Sequence, residues 1–137
     1  YSTPGCTFTS NTIVANDGDG IWAGNPDSGS MSVVNCIVAF NDGPAVALSA
    51  TYPADIAFEC VCSFGNAGGD TLPGTTATCI YEDPLFCDVG SGDYTLASDS
   101  PCAPGGACGP VGALAVGCTE SPVAPVSWGR LKSVLGR

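Results

Sequence analysis

Three copies of one short apolar motif constrain this chain more than any other feature: Asn11-Thr-Ile-Val-Ala-Asn16-Asp-Gly, Asn35-Cys-Ile-Val-Ala-Phe-Asn41-Asp-Gly and Glu59-Cys-Val-Cys-Ser-Phe-Gly-Asn66-Ala-Gly. Each is a β-rich run closed by Asn and Gly. Ile13, Ile37 and Val61 lie 24 residues apart, as do Thr12, Cys36 and Cys60, whereas Asn16, Asn41 and Asn66 recur at 25. The spacing predicts a strand-to-turn segment that gains one residue per copy, and it places Cys36 and Cys60 in equivalent positions of adjacent coils, stacked or bridged. A fixed period in the twenties marks a stacked-repeat architecture, whose unit cannot bury its own apolar side without a neighbour. The Asn-Asp-Gly segments are read as turns because Gly, Asn and Asp adopt left-handed backbone at little cost. The apolar runs are near-continuous, which suits strands covered on both faces.

Charge excludes several partners. The chain carries 13 Asp and Glu, no His and only 3 basic residues. Arg130, Lys132 and Arg137 all fall in the last eight positions, so residues 1–129 contain no cation. Nucleic acid, anionic lipid and acidic polysaccharide are normally held by Lys and Arg, and none is expected to bind such a body. No apolar run approaches the roughly 18 residues of a membrane span, so no membrane insertion is expected.

Nine cysteines in 137 residues without a His indicate disulfides in an oxidising compartment. The chain is therefore expected to be secreted, extracellular or at a cell surface. The odd count leaves one thiol over, and Cys6, far from the Cys60–Cys118 cluster, is the first candidate. The disulfide candidates are Cys60, Cys62, Cys79, Cys87, Cys102, Cys108 and Cys118, with connectivity left open.

Taken in order, residues 1–70 read as coils, residues 71–118 as a Cys-rich closing coil or cap, and residues 119–137 as a linker and tail. In the tail, Ser127 is a suitable N-cap, and Trp128, Leu131 and Leu135 lie on one face of a short helix with Arg130 and Lys132 beside them. Eleven residues are marginal as an isolated helix, so this one must lean on something. Self-association or docking is assigned to Trp128, Leu131, Leu135, Arg130 and Lys132.

Asn-Cys-Ile-Val-Ala-Phe-Asn-Asp-Gly at 35–43, Cys-Val-Cys-Ser-Phe-Gly-Asn-Ala-Gly-Gly-Asp at 60–70, Glu-Asp-Pro-Leu-Phe-Cys-Asp at 82–88 and Ser-Asp-Ser-Pro-Cys-Ala-Pro-Gly at 98–105 resemble the repeats of secreted bacterial right-handed parallel β-helix proteins, among them those with polymorphic outer-membrane-type repeats. Trp128-Gly-Arg-Leu-Lys resembles the core of short C-terminal sorting tails of exported proteins. The resemblance implies an all-β fold: a short right-handed parallel β-helix of about three coils, a disulfide-stapled closing region and a C-terminal amphipathic helix or tail. It also implies that export or surface-anchoring machinery is a partner of the tail.

Candidate chemistry is thin. A polysaccharide lyase needs a base and cations that residues 1–129 lack. A glycoside hydrolase needs two carboxylates about 5 to 9 Å apart, for which Asp17 and Asp19, Asp42, Glu59 and Asp70, or Glu82 and Asp83 are the nominees. Carboxylates in turns and on a solvated face account for them more simply. Asn16-Asp-Gly-Asp-Gly20 lacks both the ladder of an EF-hand and the glycine-rich nonapeptide of calcium β-rolls. Neither metal nor cofactor is expected, and Cys60-Val-Cys62 reads as disulfide or buried thiol.

A stack of three coils at about 4.8 Å each exposes strand edges at both ends. The leading expectation is a non-enzymatic extracellular structural protein that associates end to end with its own copies, as a homo-oligomer or filament subunit. The alternatives are the C-terminal fragment of a larger secreted or surface β-helix acting in adhesion or glycan binding, and a glycoside hydrolase.

Overall fold

The computed structural model describes residues 5–24, 30–49, 56–74 and 76–119. The protein is a β-solenoid of about four turns with almost no helix. The first coil carries β1 (Cys6–Thr9), β2 (Thr12–Val14) and β3 (Ile21–Ala23), and the second carries β4 (Met31–Val34), β5 (Ile37–Ala39) and β6 (Val46–Leu48). The third carries β7 (Ile56–Glu59) and β8 (Cys62–Phe64). Like strands stack in parallel as β1-β4-β7, β2-β5-β8 and β3-β6.

The register is 25 residues throughout: Cys6 pairs with Met31 and Met31 with Ile56, Thr12 with Ile37 and Ile37 with Cys62, Ile21 with Val46. This corrects the 24-residue alignment of the strands. No residue is gained per copy, and Ile13 stacks on Val38 and Ser63 rather than on Ile37. Because side chains alternate along a strand, the one-residue difference exchanges the two faces. Cys36 and Cys60 are accordingly not equivalent. The Cys62 N–H donates to the Cys36 carbonyl at 2.9 Å, while Cys60 stands level with Asn35 and Ser10 at a corner.

Two columns of corner residues bend each coil around the β2-β5-β8 sheet. Ser10, Asn35 and Cys60 have φ of 56°, 52° and 52°, and Ala15, Phe40 and Gly65 have 55°, 57° and 71°. Left-handed backbone is unfavourable for most of these residues, so the stack imposes it. Asn16, Asn41 and Asn66, expected to supply that conformation, each follow the residue that does.

In the β1-β4-β7 sheet, β4 and β7 alternate cleanly, with Met31, Val33, Ile56 and Phe58 buried and Ala57 and Glu59 exposed. The β2-β5-β8 sheet is covered on both faces, and β5 is buried at every position. Its inner face joins Cys36, Val38 and Val61 to a core with Val33, Phe58 and Leu72. Its outer face meets Phe86, Leu96, Cys102 and Val111. These come from the region after residue 80, where β9 (Phe86–Asp88), a 3-10 turn at Val89–Ser91, β10 (Asp93–Ala97) and β11 (Val116–Cys118) form a separate small sheet. This region braces the stack from the side.

Gly112 lets the brace approach closely. It donates to the Asn35 carbonyl at 2.7 Å with φ of +93°, and a Cβ there would lie 2.7 Å from Ile37 Cδ1 and 2.8 Å from Thr12 Oγ1. Gly112→Val is expected to cost roughly 2–3 kcal/mol, read as a fall in the urea midpoint at unchanged slope.

Residues 70–74 and 76–80 close the third coil along β8. Leu72 is buried in the interior with Cys79 packed beside it. Ile80 bridges to Cys62, donating to the Val61 carbonyl at 2.8 Å and accepting from Ser63 at 2.9 Å. Thr78 Oγ1 accepts from the Cys60 N–H at 3.0 Å. At this end Ile80 occupies the edge of β8, while β7 and β6 have a strand neighbour on one side only among the described residues.

Candidate functional site

The two ends of the stack differ, and a line of stacked amides shows how. The N–H and the Nδ2 of Asn16 both donate to Asn41 Oδ1, at 3.1 and 2.9 Å. Those of Asn41 donate to Asn66 Oδ1 at 3.1 and 2.8 Å, and those of Asn66 to Asp70 Oδ1 at 2.9 and 2.7 Å. The second Nδ2 proton of Asn41 goes to the Ile13 carbonyl at 3.2 Å, and that of Asn66 to the Val38 carbonyl at 2.9 Å. Asn41 is 1% and Asn66 6% exposed. Burial at that level is tolerable because every amide atom has a partner.

The ladder has a direction, with every rung donating toward the third coil. Asp70 ends it, for its Oδ2 also takes the Gly65 N–H at 3.1 Å, and a carboxylate has acceptors only. Asp70 thus takes the place a fourth Asn would fill. At the other end Asn16 is exposed, and among the described residues no donor reaches its Oδ1. The outer edges of β1, β2 and β3 lie at this same end, each with a sheet neighbour on one side only. Cys6, Thr7 and Thr9 of β1 are exposed, and Trp22 on β3 is 66% exposed. Among the described residues the first-coil face is thus an unpaired parallel edge on three sides, with an acceptor at its Asn corner.

The nominated carboxylates hold turns or face solvent. Asp70 caps the ladder, and Asp83 Oδ1 accepts the Leu85 N–H at 2.9 Å. Asp17, Asp42, Glu59 and Glu82 are exposed, and Asp19 is half-buried. Among the described residues no group of three or more metal-ligating side chains is assembled. An apolar groove of about 300 Å³ lies where a third strand would have joined β6, lined by Pro44, Val46, Leu48, Thr71 and Pro73 with Gly68 and Gly69.

Of the disulfide candidates, Cys60 is bonded to Cys108 and Cys87 to Cys118. The first ties a stack corner to the brace, and the second ties β9 to β11. Cys62 and Cys102 are buried free thiols, and Cys79 is a half-buried one whose pKa is pushed up by burial, partly offset by its backbone contact at Val61. Cys6 is exposed and free, as expected of the odd thiol, but Cys36 is free as well. Its sulfur accepts the Asn11 N–H at 3.4 Å and its S–H donates to the Val34 carbonyl at 3.3 Å. Trp128, Arg130, Leu131, Lys132 and Leu135 lie outside the described residues. Sequence reasoning missed the ladder, although the Asn16, Asn41 and Asn66 period of 25 carried the signal.

Fold and ladder define a class, the β-solenoid repeat proteins. No family model, no curated protein and no solved structure matches the chain. No described helix is long and apolar enough to cross a membrane.

Proposed function

We propose that this protein is a non-enzymatic structural solenoid, extracellular or surface-exposed, that terminates a stack of coils. A further parallel coil seats on the first-coil face, and the stack ends at Asp70. The carrying observation is the one-way ladder: Asn16 offers an open acceptor, while Asp70 leaves no donor for a coil beyond it. The coil that fits has an Asn at its corner, so that its N–H and Nδ2 reach Asn16 Oδ1 as those of Asn16 reach Asn41. Unpaired strand edges recruit strands, and backbone pairing with alternate side-chain burial gives such a contact both strength and register.

This arrangement favours the terminal portion of a longer surface β-helix over an open-ended filament. Head-to-tail growth needs both ends to accept a coil, and at one end Ile80 already covers the edge of β8 and Asp70 closes the amide ladder. The turn and capping duties of the carboxylates support a non-enzymatic reading over a glycoside hydrolase. Two disulfides support an oxidising compartment.

The test replaces residues 1–4 with a copy of residues 30–54, which joins Gly5 in the 25-residue register. The expected result is a monomer melting roughly 5–10 °C higher, with most of the gain lost when the copied Asn41 is changed to Ala. An unchanged melting temperature would sink the proposal.

A further inference from the structure

We propose that Cys62 and Cys102 form a third disulfide, which locks the brace to the centre of the β2-β5-β8 sheet. The two thiols make a direct side-chain contact, and both are 0% exposed. They belong to the same apolar cluster with Ile37, Phe86, Leu96 and Val111, so neither has a competing thiol from solvent. The chain segments that carry them are already joined nearby, since Cys60–Cys108 links positions two residues before Cys62 and six after Cys102, with a Cα–Cα separation of 5.7 Å. Further hydrogen bonds fix Cys102: its N–H donates to Ser100 Oγ at 3.0 Å, Ser100 Oγ donates to the Pro84 carbonyl, and its own carbonyl accepts the Val111 N–H at 2.9 Å. These bonds hold the Cys102 backbone in place while its side chain meets Cys62.

The other free thiols do not compete. Cys36 and Cys79 belong to the interior core on the opposite face of the sheet. Both lie next to Val61, on either side of it, since Val61 is bonded to Ile80 below and stands level with Cys36 above. One intervening rung puts them about 10 Å apart, beyond disulfide reach. Cys6 is exposed on the edge strand β1.

The bond forms by exchange with a small-molecule disulfide as the brace docks. In the docked pair the contact with Cys62 lowers the pKa of Cys102 against burial and the Glu82 and Asp83 carboxylates, which oppose it, whereas the contact, burial and both carboxylates all raise that of Cys62, whose S–H also donates to the Glu82 carbonyl at 3.3 Å. Before the brace is seated, while Cys102 is still open to solvent, it loses its proton to water and its thiolate attacks a sulfur of the external disulfide, expelling one thiolate and leaving a mixed disulfide on Cys102. Cys62, deprotonated by that leaving thiolate, attacks the Cys102 sulfur and expels the second. Two cysteine thiols are oxidised by two electrons, and the reagent leaves as two thiols.

The experiment refolds the full chain with glutathione disulfide and alkylates it in denaturant without reduction, followed by mass spectrometry. Three labelled thiols, Cys6, Cys36 and Cys79, are expected out of the five that are otherwise free. Labelling of all five, or linkage of Cys62 to any cysteine other than Cys102, overturns the proposal. No acidic or basic residue separates Cys60 from Cys62 or Cys102 from Cys108, so proteolysis alone does not resolve the two links. The variant C60S/C108S does: peptides carrying Cys62 and Cys102 remain joined if the bond exists and separate if it does not. Should that variant not fold, the count of labelled thiols in the unaltered chain still decides.

Discussion

Asn41→Ala is expected to lower stability by roughly 3 kcal/mol, although it changes only a turn residue of a surface-wrapped coil. The substitution removes the acceptor of the Asn16 N–H and Nδ2 and the donor to the Ile13 carbonyl and to Asn66 Oδ1. It does so at a site that is 1% exposed, where water does not replace them. A buried group stripped of its partner costs about 1–3 kcal/mol, and several are stripped together. Asn16→Ala alters the same motif at its exposed end and removes only donors, so less than about 1 kcal/mol is expected. Urea unfolding of the two variants separates the ladder from the simpler view that Asn serves backbone conformation. On that view the costs are equal; on the ladder they differ severalfold. Asn41→Asp is worse still, because it sets a carboxylate oxygen against the Ile13 carbonyl and Asn66 Oδ1.

Phe86→Ala is expected to cost about 4 kcal/mol and to loosen the brace as a unit. Phe86 is 5% exposed, and its ring meets Phe40 at 6.0 Å and Tyr94 at 5.3 Å, both edge to face. Phe40 belongs to a stack corner and Tyr94 to β10, so Phe86 is the hinge of apolar contact between solenoid and brace. Truncation leaves a cavity over Ile37 and Ala39, which share its cluster. Phe8→Ala, at the half-buried open end, is expected to cost less than half as much. Thermal unfolding of the pair ranks them, and near-equal losses would show that the brace adds little.

The repeat, the all-β class and the absence of helical patterning in the coils were legible because stacking demands the same residue types at the same place in every turn. The register was not. Thr-Ile-Val-Ala after Asn11 and Cys-Ile-Val-Ala after Asn35 match in identity at 24, yet the backbone follows the Asn-Gly turns at 25. Apolar identity misled because the β2-β5-β8 sheet is buried on both faces, so a residue of either face satisfies the pattern. Where one face meets water, as at Met31–Val34, alternation names the inner side without ambiguity. The brace was illegible for a different reason: its contacts with Ile37 and Thr12 come from residues some 75 to 101 positions away, which no local pattern announces. The asymmetry of the ends depended on Asp70, one carboxylate among 13 acidic residues, distinguished only by the three N–H groups it collects.

That asymmetry is the centre of the account, and amide hydrogen exchange tests it most directly. With the second-coil copy fused ahead of Gly5, the amides of β1, β2 and β3 should slow by one to two orders of magnitude, roughly the 1.4–2.8 kcal/mol that pairing a free coil adds, while those of β7 and β8 stay unchanged. Equal protection of the first coil with and without the added turn would contradict the claim that this face is built to receive one.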